Sequence, residues 1–130
     1  MTVKPKPTIS TDDRAMKCAA LALEKKAEDV KVIDIRGVST IADYLVFATG
    51  SSDKQVIAIA DSIRTGLKKY GKVLDVEGAK EGKWVVIDYG DVIAHVFYSE
   101  LRDYYNLDEL WSCGRVVEIP AETDQEQTGL

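Results

Sequence analysis

At 130 residues, 45% hydrophobic and 30% charged, the chain has the size and balance of one soluble globular domain. That is long enough to bury a core without disulfides or metals. A net charge of −5 and no visible basic stripe exclude a free-standing nucleic-acid binder of the usual kind. No apolar run reaches the length of a membrane span, and the opening MTVKPKPTIS lacks a secretory stretch, so a cytosolic or organellar home is expected.

In chain order, residues 1–9, with Pro5 and Pro7, read as a flexible arm. Thr11 or Asp12 is placed to cap a first helix running to about Ala27, since Ala15, Ala19, Ala22 and Leu23 recur at helical spacing. Cys18 falls on that pattern as a small buried thiol. The alternation in KVIDIRG predicts a half-buried strand, and the nearly all-apolar run Tyr44 to Ala48 a central one. Ser52 and Gln55 then have capping-box spacing, with Val56, Ile59, Ala60, Ile63 and Leu67 as the buried stripe and Gly71 as the stop. KVLDVEG predicts a third strand, and the strand–helix–strand unit should run two strands parallel through a right-handed crossover. WVVIDYGDVIAHVFYS reads as an antiparallel hairpin turning at Gly90-Asp91, with Trp84, Val86 and Asp88 on one face of its first strand. Ser99 can cap a last helix carrying Tyr105, Leu110 and Trp111, and GRVVEIP is either a short strand or an extended packing segment. The expected fold class is α/β, a mixed five-stranded sheet flanked by helices, within a single domain at 10–119. Residues 120–130 should form a disordered acidic tail.

Catalytic signals are thin. The strand–Gly50-Ser51–helix turn has the shape of a phosphate cradle but lacks the Gly-x-x-x-x-Gly-Lys and Gly-x-Gly-x-x-Gly patterns. A nucleotide-binding or nucleotidyltransferase-type enzyme is the alternative reading, with Asp75 and Glu77 as its alternating carboxylates. His95 is the only histidine, sits inside a strand pattern and has no Cys-x-x-Cys nearby. No catalytic, cofactor-binding or metal residues are therefore assigned. From Ser99 onward eight acidic residues face only Arg102 and Arg115, an asymmetry that favours a basic partner or else marks a solvated tail.

Several blocks then come together: DY…ATGSSDKQV at Asp43 to Val56, IAD at Ile59 to Asp61, and VEG at Val76 to Gly78. WVVIDYGDVIAHVF follows at Trp84 to Phe97 and YNLDELW at Tyr105 to Trp111. In order and spacing they resemble the ribosomal silencing factor family (RsfS, or Iojap-like) over about Ala20 to Ser112, with the arm and the acidic tail outside. Lys54 stands where the family more often has arginine, which keeps the charge and loses the planar fork. The resemblance implies a nucleotidyltransferase-like sheet without catalytic carboxylates and a non-enzymatic translation repressor. Such a protein binds the large ribosomal subunit through ribosomal protein L-fourteen and sterically blocks subunit joining under nutrient limitation. It further implies a homodimer when free, a bacterial cytoplasmic or plastid home, and no membrane or sequence-specific nucleic-acid partner.

The residues expected to carry that contact are Trp84, Glu77, Asp88, Asp91, Tyr105 and Trp111. Trp84 is either an aromatic anchor or a core residue covering the sheet edge. Glu77 and Asp88 pair with basic groups of the partner or serve as solvated or turn-capping carboxylates. Asp91 reads first as a turn residue. Tyr105 and Trp111 are core, dimer contact or ribosome contact. His95 is expected to be structural, and Asp43 to orient the Gly50 turn or the neighbouring strand.

Overall fold

A computed structural model describes residues 9–71, 73–106, 109 and 114–119. Helix α1 (Thr11–Glu24) is capped one residue before the first of its expected caps. Ser10 is the N-cap, its hydroxyl accepting from Asp13 N at 3.1 Å, because a hydroxyl there reaches the first turn with the cap residue still extended. The helix stops at Glu24, three residues short of expectation, and Lys26 takes a left-handed φ of 62°. Strand β1 (Glu28–Asp34) follows at once, with a register shift between Glu28 and Lys31 where Asp29 has φ 52°.

Strand β2 (Tyr44–Gly50) is buried at every position, as its composition predicts, and lies between β1 and the strand Val92–Tyr98. Helix α2 (Asp53–Leu67) buries Val56, Ile59, Ala60, Ile63 and Leu67, the expected stripe, and runs into a 3-10 turn at Lys68–Tyr70. Strands β3 (Asp75–Glu77), β4 (Trp84–Asp88) and β5 (Val92–Tyr98) come next, then α3 (Ser99–Tyr105) and β6 (Arg115–Val117). Ser99 is the first residue of α3 rather than its cap; Tyr98 precedes the helix without a side-chain cap.

The sheet has six strands, not five, in the order β3-β4-β5-β2-β1-β6. The added strand is β6, whose three residues pair antiparallel with β1 and are too few to show a period. Strands β2 and β3 do run the same way, but the antiparallel β4–β5 hairpin separates them, and the parallel neighbour of β2 is β5. The reason is apolar content: β5 has four fully buried positions and takes the central place, leaving three-residue β3 at the edge.

One face of the sheet meets α1 and α2 through Val32, Val46, Ala48, Val85, Ile87 and Val96. Ile33, Leu45, Phe47 and Phe97 form a second cluster on the other face, with half-buried Trp84 and Ile93 against it.

Candidate docking face

The second face is organised by the start of β4. The loop 78–83 folds back on itself through Gly82 N to Gly78 O at 3.2 Å, with φ +80° at Gly78 and +71° at Gly82. A Cβ on Gly78 would lie 2.0 Å from the carbonyl oxygen of Trp84, so only glycine lets the loop pass. Tyr98 N donates to Lys83 O at 2.8 Å, which locks the loop to the end of β5.

Trp84 is thereby set opposite Phe97 in the antiparallel register, with ring centroids 5.5 Å apart. Its indole Nε1–H donates to His95 Nδ1 at 3.2 Å. His95 stacks on Phe97 at 5.8 Å and meets the edge of Phe47 at 5.5 Å. Burial pushes the imidazole pKa down from 6.5 to about 4. Both facts describe a neutral ring whose Nδ1 accepts and whose proton therefore sits on Nε2. On the far side, buried Arg102 (4% exposed) lies 5.5 Å over Phe47 and 6.0 Å over Phe97. It donates to Thr49 Oγ1 and Asp29 O, each at 2.6 Å, and so holds the β1 irregularity against α3. Trp84 thus stands half-buried at the rim of a rigid aromatic platform.

The acidic candidates divide. Glu77 is exposed on edge strand β3 and, through Val86, shares a cross-strand row with His95. Asp75 is exposed two residues away on the same face, while Lys80 and Lys83 stand on the loop above. Asp88 is on the Trp84 face too, but its Oδ1 accepts from Gly90 N at 2.8 Å, so it caps the hairpin turn. Asp91 is not part of this group. It lies in the turn that Asp88 caps, at the far end of β4 from Trp84, and is turned toward α1, where Oδ2 accepts from Thr11 Oγ1 at 2.9 Å and Oδ1 is 3.2 Å from Arg14 Nε. Its carbonyl accepts from Asp43 N at 2.8 Å and Tyr44 N at 3.2 Å, so Asp91 ties the turn to α1 and β2. Asp43 is likewise at the far end of β2 from Gly50 and does not orient that turn. Tyr105 ends α3, its side chain outside the described residues, as is Trp111 altogether. The local pattern missed two members of the platform: His95 as the direct partner of Trp84, and Arg102 beneath the aromatic rings. Neither has a signal short of the strand register.

The Gly50-Ser51 turn is occupied by its own side chains. Gln55 Oε1 accepts from Ser51 N at 2.6 Å and from Ser51 Oγ at 2.9 Å, and Ser52 Oγ accepts from Gln55 N at 3.1 Å. Gly50 serves packing: a Cβ there would lie 2.9 Å from Val56 Cγ2. Asp75 and Glu77 are on β3, two strands removed from β2. Among the described residues no group of His, Cys, Asp or Glu could hold a metal ion.

The family model for "ribosomal silencing factor during starvation" matches residues 8–129. The chain belongs to the ribosomal silencing factor (RsfS) family. The match extends past the expected Ala20 to Ser112 at both ends and takes in α1 and most of the acidic C-terminal stretch. Ribosomal silencing factor RsfS of Bacillus subtilis is 46% identical over 98 residues, covering 74% of this chain and 83% of its own. Protein Iojap, chloroplastic, of Zea mays is 31% identical over 129 residues, covering 94% of this chain and 56% of its own. A crystal structure of a Chromobacterium violaceum protein superposes with a TM-score of 0.77 at 30% identity, covering 80% of this chain and 88% of that one. One from Bacillus halodurans gives 0.70 at 37% identity, covering 78% and 93%. This RsfS-family chain therefore shares its fold with solved relatives from two bacteria.

Proposed function

We propose that the protein is a translation repressor that binds the large ribosomal subunit through ribosomal protein L-fourteen and blocks subunit joining by occlusion. Family membership supports the class of function, and the half-buried Trp84, held by His95 at the rim of the aromatic platform, supports the mode of contact. An indole fixed in one orientation loses little entropy on binding and presents a large apolar area. Exposed Glu77 near it, with Asp75 farther along the same face opposite Asp88, gives an acidic border suited to a basic protein surface. Asp88 lends charge to the same face while capping its turn. Asp91 supports the face from below through the hairpin. Tyr105 and Trp111 extend the contact or form the dimer of the free protein, whose setting is bacterial cytoplasm or a plastid.

Large subunits incubated with the full chain should carry it down on sedimentation. Trp84→Ala should weaken that association by about 2 kcal/mol, roughly thirtyfold in affinity. The thermal midpoint of the variant, recorded alongside, separates lost contact from lost fold. Wild-type protein that leaves subunit joining unchanged at saturating concentration refutes occlusion.

A further inference from the structure

One basic run is denser than any other in this acidic chain. Between Ser62 and Leu74 stand Arg64, Lys68, Lys69 and Lys72 with no acidic residue, in a chain of net charge −5. The sequence has no long basic stripe, but the fold brings Arg64, Lys68 and Lys69 of this run to one place. Arg64 is in the last turn of α2, and Lys68 and Lys69 are in the 3-10 turn that continues it. Arg64 and Lys68 line a cleft of about 620 Å³ together with Thr65 and Tyr89. Asp61 also lines it, 3.8 Å from Arg64 Nη1. That contact is long and its two side chains are 43% and 64% exposed, so it ties the guanidinium only weakly. Arg14, by contrast, is 5.5 Å from the Tyr89 ring centroid but engaged with Asp91.

A single cation at a helix C-terminus answers the helix dipole. Here Arg64, Lys68 and Lys69 are all exposed and sit together. They create a local positive field on a chain whose net charge is −5. The location matters as well. Helix α2 packs on the sheet face opposite Trp84, so this patch points away from the aromatic platform and can meet a different component of the same assembly.

We propose that the C-terminal end of α2 takes RNA phosphates of the large subunit while the Trp84 face takes the ribosomal protein. The inference rests on the docking reading above and adds a second, sequence-independent contact to it. Phosphate oxygens on a ribose backbone match clustered lysines and an arginine on a solvent-exposed helix end, and such contacts position a protein without reading bases.

The test compares the full-length wild type with an Arg64→Gln/Lys68→Gln/Lys69→Gln variant for binding to purified large subunits over a salt series. The variant should bind about tenfold or more weakly at low salt. Its log–log salt slope should be shallower by about 2, given roughly 0.7–0.9 per phosphate contact. Against isolated ribosomal protein L-fourteen the two proteins should bind alike. Equal affinity and slope on subunits, or an equal loss against the isolated protein, overturns the RNA contact and leaves the docking reading standing. Wild type that ignores large subunits defeats the docking reading instead. The patch is then judged with a short RNA hairpin at low salt: binding lost in the variant sustains it, and no difference or no binding overturns it.

Discussion

Trp84 and His95 meet across the β4–β5 ladder by a hydrogen bond from indole Nε1 to imidazole Nδ1 at 3.2 Å. The bond requires an unprotonated Nδ1, and burial already lowers the pKa of that ring to about 4. The half-buried residue proposed as the anchor is therefore oriented by a side chain that stays neutral across the physiological range.

Stability should depend on this histidine in a defined pH window. Its folded pKa, about 4, lies below the ordinary value of 6.5, so between the two the unfolded chain binds a proton that the native protein refuses. Stability is complete above 6.5 and declines as pH falls toward 4, by roughly 2–3 kcal/mol. Denaturant melts of wild type and His95→Asn at pH 7 and pH 4.5 check this. The variant should lack that decline, and an equal decline in both would assign it to other groups.

A second acid window belongs to Asp34. Its carboxylate accepts from Arg36 Nε at 3.0 Å, Arg36 Nη2 at 2.8 Å and Arg115 Nη2 at 2.8 Å, tying β6 to β1. The hydrogen bonds from Arg36 hold its pKa well below the usual carboxylate range. A depressed pKa gives stabilisation that is present above about pH 4 and lost as pH falls further. Because the arginines are 50% and 69% exposed, solvent screening limits the effect, and Asp34→Asn should cost only about 1–2 kcal/mol at neutral pH. The loss should show as faster amide exchange in Arg115–Val117; unchanged exchange there would deny the tether.

Glycine substitutions should separate loop geometry from crowding. Gly37 and Gly78 have nearly the same φ, +81° and +80°, but a Cβ at Gly37 meets nothing within 4 Å while one at Gly78 strikes the Trp84 carbonyl at 2.0 Å. Gly37→Ala should cost about 1 kcal/mol of backbone strain. Gly78→Ala should cost about 3 kcal/mol or more, because backbone itself must move. Urea midpoints of the two variants measure the difference, and equal costs would mean that the loop yields freely.

Arg102→Lys is expected to behave almost like a deletion. The guanidinium reaches Asp29 O and Thr49 Oγ1 at 2.6 Å while lying over Phe47, and one ammonium cannot reproduce that fork and stack. We expect a loss of about 2–3 kcal/mol for a buried, multiply bonded cation. Tryptophan fluorescence on unfolding reads it, and a wild-type midpoint would show the stack to be dispensable.

Features set by local period were legible in the chain alone. The stripe on α2 repeats from Val56 to Leu67, about three turns, and every position of β2 is apolar or small, so both were readable without partners. The placing of Trp84, Val86 and Asp88 on one face also follows from alternation. What local pattern could not supply was register. The Trp84–His95 bond depends on pairing Trp84 with Phe97, and the tethering of Asp91 by Thr11 and Arg14 spans 80 and 77 residues. Strand order escaped for the same reason: nothing near Asp75–Glu77 says that a later hairpin will take the place beside β2. The cap at Ser10, and the choice between strand and extended segment for GRVVEIP, turn on element ends, where one hydroxyl or three residues decide the boundary.

The Gln55 amide has a wider reach than closing its own turn. Its Nε2 donates to the carbonyls of Lys25 and Lys26 at 3.1 Å, so one side chain laces the exit of the first helix to the entrance of the second. A protease nick or truncation that strips away the first helix would therefore also unlace the start of the second. The two helices should be gained and lost together, as one cooperative lid over their side of the sheet.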